Sequence, residues 1–177
     1  MANLTCPFPS NINPLSPNGF MFNISKLPDV NFFCQSINLP GLNLPSIAQG
    51  TPFSDAEIPG DKLTYDTLDL QFLVDEQMLN YTSIHNWITA LGFPQSYDQY
   101  INFISADQKN KTNELMQNYS DGVLQILNNS NNPSKTIQFR DLFPVSLSAL
   151  TFLSTSDDVQ YLVGNVSFKF TYYECMV

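Results

Sequence analysis

"FLVDEQMLNYTSIHNWITALGFP", Phe72–Pro94, carries two adjacent acids, Asp75 and Glu76, with the chain's only histidine, His85, and its only tryptophan, Trp87. Either these side chains form an acid–base set, or they belong to a polar structural joint. Upstream, "TLDLQFLV" places Leu68, Leu70, Phe72 and Val74 on one face, the pattern of a strand with one side buried. Downstream, Tyr81, Ile84, Trp87, Ile88 and Leu91 recur at helical spacing, Gly92 supplies a stop and Pro94 follows. A helix of about four turns is marginal alone, so its apolar stripe must dock on a sheet. Acids at a strand-to-helix corner favour the N-terminal end of the helix dipole. His85 lies nearly three turns further on, about 15 Å along the axis by the helical rise per residue. Asp75, Glu76 and His85 therefore cannot meet in one constellation. They read as capping acids and a helix-flank histidine, with Trp87 in the core.

The rest of the chain supports a structural role. Its 177 residues suit one domain with a sizeable core, and 43% hydrophobic and 13% aromatic content excludes a disordered chain. Charged residues make up only 13%, about half of what an ordinary soluble domain carries. Low charge suits a protein that covers much of its surface with neighbours. The net charge is −9, and the seven basic residues (Lys26, Lys62, Lys109, Lys111, Lys135, Arg140, Lys169) are scattered. No basic patch is available for phosphates, so tight nucleic-acid binding is not expected.

Cys6, Cys34 and Cys175 form neither a metal pattern nor a disulfide framework. Seven Asn-x-Ser/Thr sequons (at Asn3, Asn23, Asn80, Asn110, Asn118, Asn128 and Asn165) raise the possibility of a secreted glycoprotein. The N-terminal "MANLTCPFPSNINPLSP" has neither the basic start nor the apolar run of a signal peptide, and the expectation is assembly in a reducing cytoplasm. No stretch approaches membrane-spanning length. There is no Ser nucleophile elbow, phosphate-binding glycine loop or zinc spacing, so no cofactor or metal is expected. A small hydrolase built on Asp75, Glu76 or His85 remains the alternative of a different class, and it explains only three residues.

Residues 1–19 read as an extended Pro/Asn-rich arm. "FMFNI" (Phe20–Ile24) and "VNFFCQSI" (Val30–Ile37) read as strands. Residues 38–60 form a long Pro/Gly-punctuated loop without helix or strand signal, the kind used for binding or assembly. A variable polar insertion with a short helix spans 95–118. "DGVLQIL" and "TIQFRDLF" flank a loop of hairpin type, and "VQYLVGNVSFKFTYYEC" alternates at Val166, Phe168, Phe170 and Tyr172 as one final strand. Phe139 and Phe143 read as core or protomer-interface anchors, like Trp87. The fold class is mainly β, a two-sheet sandwich or barrel over residues 20–177 with one packed helix.

The order of these features resembles the tail tube family of T-even-like contractile-tailed phages, mostly through "GDKLTYDTLDLQFLVDE" and the Trp87 helix that follows. The pattern covers about Phe20 to Tyr173. The resemblance implies a virion protein, not an enzyme, that forms hexameric rings around a DNA channel, with the long loop engaging the next ring. It leaves open a repeated tube subunit or a head-proximal tail-completion ring, with a baseplate tube initiator behind both. Partners would be other copies and neighbouring tube, sheath or terminator rings, with no membrane and no specific hold on DNA. The lumen wall should be neutral or acidic so that a polyanion slides, and Asp61, Asp66 and Asp69 are the expected inward acids. Leu39, Leu42, Leu44 and Ile47, apolar in a surface loop, are the expected inter-ring contacts.

Overall fold

The computed structural model describes residues 12–92, 94–107, 118–154 and 160–176. Among these residues eleven strands and three helices follow in order: β1 (Phe20–Ile24), α1 (Pro28–Phe32), β2 (Cys34–Ile37), β3 (Leu42–Asn43), β4 (Ser46–Gly50), β5 (Asp55–Pro59), β6 (Thr64–Tyr65), β7 (Leu68–Leu73), α2 (Leu79–Gly92), α3 (Asp98–Asp107), β8 (Ser120–Leu127), β9 (Pro133–Leu147), β10 (Val163–Lys169) and β11 (Tyr172–Met176). Two sheets face one another, β1-β8-β9-β11 and β9-β10-β7-β2, and every pairing is antiparallel.

β9 belongs to both sheets. Its first half pairs with β8 and β11, and its second half, from Phe143, pairs with β10. The change of sheet falls at Asp141, which takes φ 56°, a left-handed conformation that an L side chain adopts only at a cost. There the register slips between Ser120 and Gly122 of β8, a bulge that bends the strand. Arg140 Nη1 bridges the bulge to Asp121 Oδ2 at 3.1 Å, a half-exposed pair of modest worth. The neighbouring strand turns in step: β10 ends at Lys169, β11 begins at Tyr172, and the Thr171 amide donates to the Arg140 carbonyl between them.

This corner corrects the expectation of one unbroken final strand. The bend at Phe170–Thr171 shifts the alternation by one, so Tyr172 is exposed and Tyr173 packs against the core. "VNFFCQSI" is likewise not one strand, since Pro28 at the first helical turn starts α1 and only Cys34–Ile37 is extended. The packed helix is α2 and the short helix expected within 95–118 is α3; among the described residues α1 is the helix not expected, and the 38–60 segment contains strands, described below. Residues 1–11 of the expected arm and 108–117 of the expected insertion lie outside the described residues; α3 occupies the described part of the insertion.

The core lies between the sheets. Phe22, Ile24, Leu124, Ile137 and Phe139 face Leu68, Leu70, Phe72, Val166 and Phe168, with Leu142 and Phe170 near the corner. The β7 alternation holds as read, with Leu68, Leu70 and Phe72 all buried. α2 buries Ile84 and Trp87, and the Trp87 ring lies 6.3 Å from Phe168. Gly164 of β10 leaves the space that the Phe72 ring fills, since a Cβ there would come within 2.7 Å of it.

Because Asp141 stores left-handed strain at the bend, Asp141→Gly should be neutral or stabilising by up to about 1 kcal/mol, and Asp141→Val should cost about 1–2 kcal/mol. Urea midpoints for the two variants check this. Equal stability of Gly and Val at this position would mean that the bend does not depend on the residue's backbone conformation.

Candidate functional site: an assembly arm and a polar sheet face

The strand-to-helix corner is a joint, but it is not held by the acids. α2 begins at Leu79 with no acid in its first turn, so Asp75 and Glu76 are not its capping residues. Met78 at φ 55° turns the chain, and its amide donates to the Asp75 carbonyl at 2.8 Å. The work falls to Asn80, which is 1% exposed. Its Nδ2 donates to the Leu73 carbonyl at 2.7 Å, and its Oδ1 accepts from the Asp75 amide at 3.2 Å and the Tyr81 amide at 2.8 Å. One buried amide thereby satisfies backbone groups on both sides of the turn. Sequence reading missed it because an Asn on a helical wheel reads as surface.

Glu76 and His85 are exposed, and no shared site forms with Asp75. Trp87 is 1% exposed, as read, and its Nε1 donates to the Asn118 carbonyl at 3.2 Å. The Lys26 ammonium stands 5.4 Å from the centre of the Trp87 ring and 5.1 Å from that of Phe103, a cation–π contact on both. Phe139 is fully buried, and Phe143 is half-buried against Tyr119, with ring centres 5.7 Å apart. Burial pushes the half-buried Cys34 thiol up to about 11, away from the reactive thiolate. Among the described residues no three His, Cys, Asp or Glu side chains gather as for a metal ion, and no helix is long and apolar enough to cross a membrane.

The notable surface is the segment between β2 and β7. At its base β3 pairs with β6, Leu42 opposite Tyr65, and the Tyr65 ring packs edge-on to Phe170 and Tyr173 at 5.4 and 5.5 Å. The Tyr173 hydroxyl also donates to the Pro40 carbonyl at 3.5 Å, so an aromatic cluster at the β9–β11 corner anchors this base. Beyond it the Gly60 amide donates to the Pro45 carbonyl at 2.7 Å, and a Cβ on Gly60 would lie only 2.6 Å from that oxygen. From that closure β4 and β5 pair as a hairpin arm whose strand residues are all exposed. The turn at Thr51–Ser54 is closed by Thr51 on the Ser54 carbonyl and carries Phe53, 100% exposed, at its tip.

Cross-strand register sorts the arm into two faces. Ile47 opposes Ile58 and Gln49 opposes Ala56 on one, while Ala48 opposes Glu57 and Gly50 opposes Asp55 on the other. One face is apolar and one is acidic. Leu39, Leu42, Leu44 and Ile47 are all at least half exposed on this segment. Its strands escaped the sequence reading because neither face meets the protomer's own core, so no buried alternation marks them.

The outer face of the β2-β7-β10 region is polar. Ser36, Asn38, Asp69, Gln71, Asn165 and Ser167 line a shallow cleft. The Ser167 hydroxyl donates to Asp69 Oδ1 at 2.6 Å, the Asp69 amide donates to Asn38 Oδ1 at 2.6 Å, and the Ser36 hydroxyl donates to Gln71 Oε1 at 3.0 Å. Of the three acids singled out, only Asp69 stands on this face. Asp61 and Asp66 are exposed at the base of the arm, where the Asp66 amide donates to the Gly41 carbonyl.

The frame is thus an antiparallel two-sheet sandwich with a strand shared at its corner and a projecting hairpin arm. Residues 4–176 match the family model for phage tail tube protein. The tail tube terminator protein of Enterobacteria phage T4 is 26% identical over 144 residues, which cover 79% of this chain and 74% of that one. Among solved structures, the tube terminating cap of the anti-feeding prophage superposes with a TM-score of 0.60 at 16% identity, over 99% of both chains. The sheath/tube terminator of the PVC extracellular contractile injection system gives 0.58 at 16% identity, over 93% of this chain and 98% of that one. The chain belongs to the phage tail tube protein family. It is a structural component of the virion tail, of a family of tube and terminator proteins and not of enzymes.

Emptying the Trp87 site should show in stability: Trp87→Ala should cost about 3–5 kcal/mol. Asn80→Ala, which leaves the part-buried Leu73 carbonyl and Asp75 amide without their partner, should cost about 1–3 kcal/mol. Glu76→Gln and His85→Ala should stay within about 0.5 kcal/mol. Thermal or urea unfolding ranks the four, and a cost for His85→Ala equal to that of Asn80→Ala would contradict the assignment of the joint.

Proposed function

We propose that this chain forms a hexameric ring that closes the end of a contractile phage tail tube, with DNA passing through its lumen. The observation that carries the reading is the arm, a hairpin with an apolar face and an apolar tip that the protomer itself leaves uncovered. An isolated two-stranded hairpin is marginal in water, so this one is built to lie on a neighbour. The end position, in preference to a repeated subunit, is supported by the sequence match to the T4 tail tube terminator.

Ring closure has a physical route. Within the protomer and among the described residues, β2 and the second half of β9 each keep one edge of their sheet open. Pairing these edges between copies would join the sheets into a closed barrel and remove both liabilities. The polar face of Ser36, Asn38, Asp69, Gln71, Asn165 and Ser167 would then form the channel wall. Among the described outward residues of β2, β7 and β10 only Lys169, at the end of β10, is basic, so little on this wall would hold phosphates. Asp61 and Asp66, at the arm base, would face the ring junction and not the middle of the channel.

Negative-stain microscopy of the purified protein tests the position: discrete rings are expected, long tubes would make it the repeated subunit, and monomers would remove the ring. The arm has its own test. Cutting within 42–50 would leave β5 and β6 without partners, whereas joining Pro45 to Gly60 removes β4 and β5 at their natural closure. That variant should fold and form rings but fail to bind tail tubes in a co-sedimentation assay. Undiminished tube binding would move the axial contact away from the arm.

A further inference from the structure

Resting on the ring reading above, we propose that the two axial ends of this protomer repel one another, so that copies do not stack, and that the arm instead docks on a ring of a different protein whose facing surface carries Lys or Arg beside an apolar groove. The argument begins with chain direction. The arm leaves the sheet after Ile37 of β2 and rejoins it at Leu68 of β7. β7 then runs to Leu73 at the other end of the sheet, where Leu73 pairs with Val163 and the Val74 amide donates to the Leu162 carbonyl. The β7–α2 joint and the described residues of the β9–β10 connection therefore occupy the end opposite the arm. Copies stacked in the same sense would seat the arm of one on that far end of the next, a heterologous contact.

Both surfaces are apolar, which alone would favour such stacking. The arm offers Ile47, Phe53 and Ile58, and the far end exposes Phe152, Leu153 and Tyr161. Both surfaces are also acidic. The arm strands carry Asp55 and Glu57 and no Lys or Arg; the described residues of the β7–α2 joint and the β9–β10 connection carry Asp75 and Glu76 and no Lys or Arg, and Lys26, in the approach to α1 and β2, stands over the Trp87 and Phe103 rings. Like charges brought together across an interface suppress the wrong partner, and a ring repeats each such pair with every copy. A surface that needs apolar cover and brings carboxylates to it fits a partner that is apolar and basic.

The test is a charge swap read by sedimentation velocity. D75K/E76K gives the far end the basic character proposed for the true partner, so this variant itself serves as the probe for the unaltered arm. D55K/E57K makes the converse change. At about 0.1 M salt, where charges reach about 10 Å, the unaltered protein should sediment as a single layer. Each double variant should form faster-sedimenting head-to-tail stacks that weaken at about 1 M salt, and the four-fold variant, basic at both ends, should not stack. Stacking of the unaltered protein at about 0.1 M salt would overturn the inference. So would double variants that stay single while keeping a native circular dichroism spectrum. An absence of rings in every sample would count against the ring reading, while charge-driven association of protomers would still be legible in the same data.

Discussion

The bend of β9 at Asp141 is the constraint on which the other contacts depend. A strand of 15 residues cannot stay in one flat sheet here, because its two halves have different neighbours. The left-handed residue and the bulge opposite Asp121 redirect it, and the β10–β11 junction follows. Phe139 just before the bend and Leu142 just after it are both fully buried, so the turn lies against the core and not at a frayed rim. The same corner supplies Phe170 and Tyr173, whose rings hold Tyr65 and with it the base of the arm. A single backbone conformation thus links the core to the surface that meets other proteins.

The parts of this molecule that face its own core were legible in the residues. Leu68, Leu70 and Phe72 alternate because one side of β7 is buried, and Ile84 and Trp87 recur because one side of α2 is. The family resemblance rested on this same stretch. What could not be read was set by contacts distant in sequence. "FRDLF" reads as uninterrupted strand, since nothing local marks Asp141 for positive φ. Tyr172 and Tyr173 exchanged sides because the bend at Phe170–Thr171 moves the phase by one residue. Asn80 was overlooked because its partners are backbone groups of the preceding turn, and the acids beside it drew the attention that belonged to the amide.

The arm shows why an assembly protein is harder to read than an enzyme. Its strands have no inner face, so Ile47 read only as an apolar loop residue meeting the next ring, and its cross-strand partner Ile58 was not singled out. Their meaning lies in a surface outside the chain. The sparse charge of the sequence agrees with this picture: polar side chains, uncharged apart from Asp69 and Lys169, cover the β2-β7-β10 face, and the arm keeps acids to one side. The expected inter-ring leucines do lie on the exposed segment, but Phe53 and Ile58, which the sequence reading did not single out, extend the apolar surface to the tip.

The most direct test of this account is a cryo-electron microscopy map of the intact tail that carries this protein. The account predicts one six-fold ring at the end of the tube, the β2-β7-β10-β9 sheet lining the channel, and the 46–59 arm directed along the axis into the adjoining tube ring. A ring repeated along the whole tail, or a channel lined by the β1-β8-β9-β11 sheet with the arm in solvent, would contradict it.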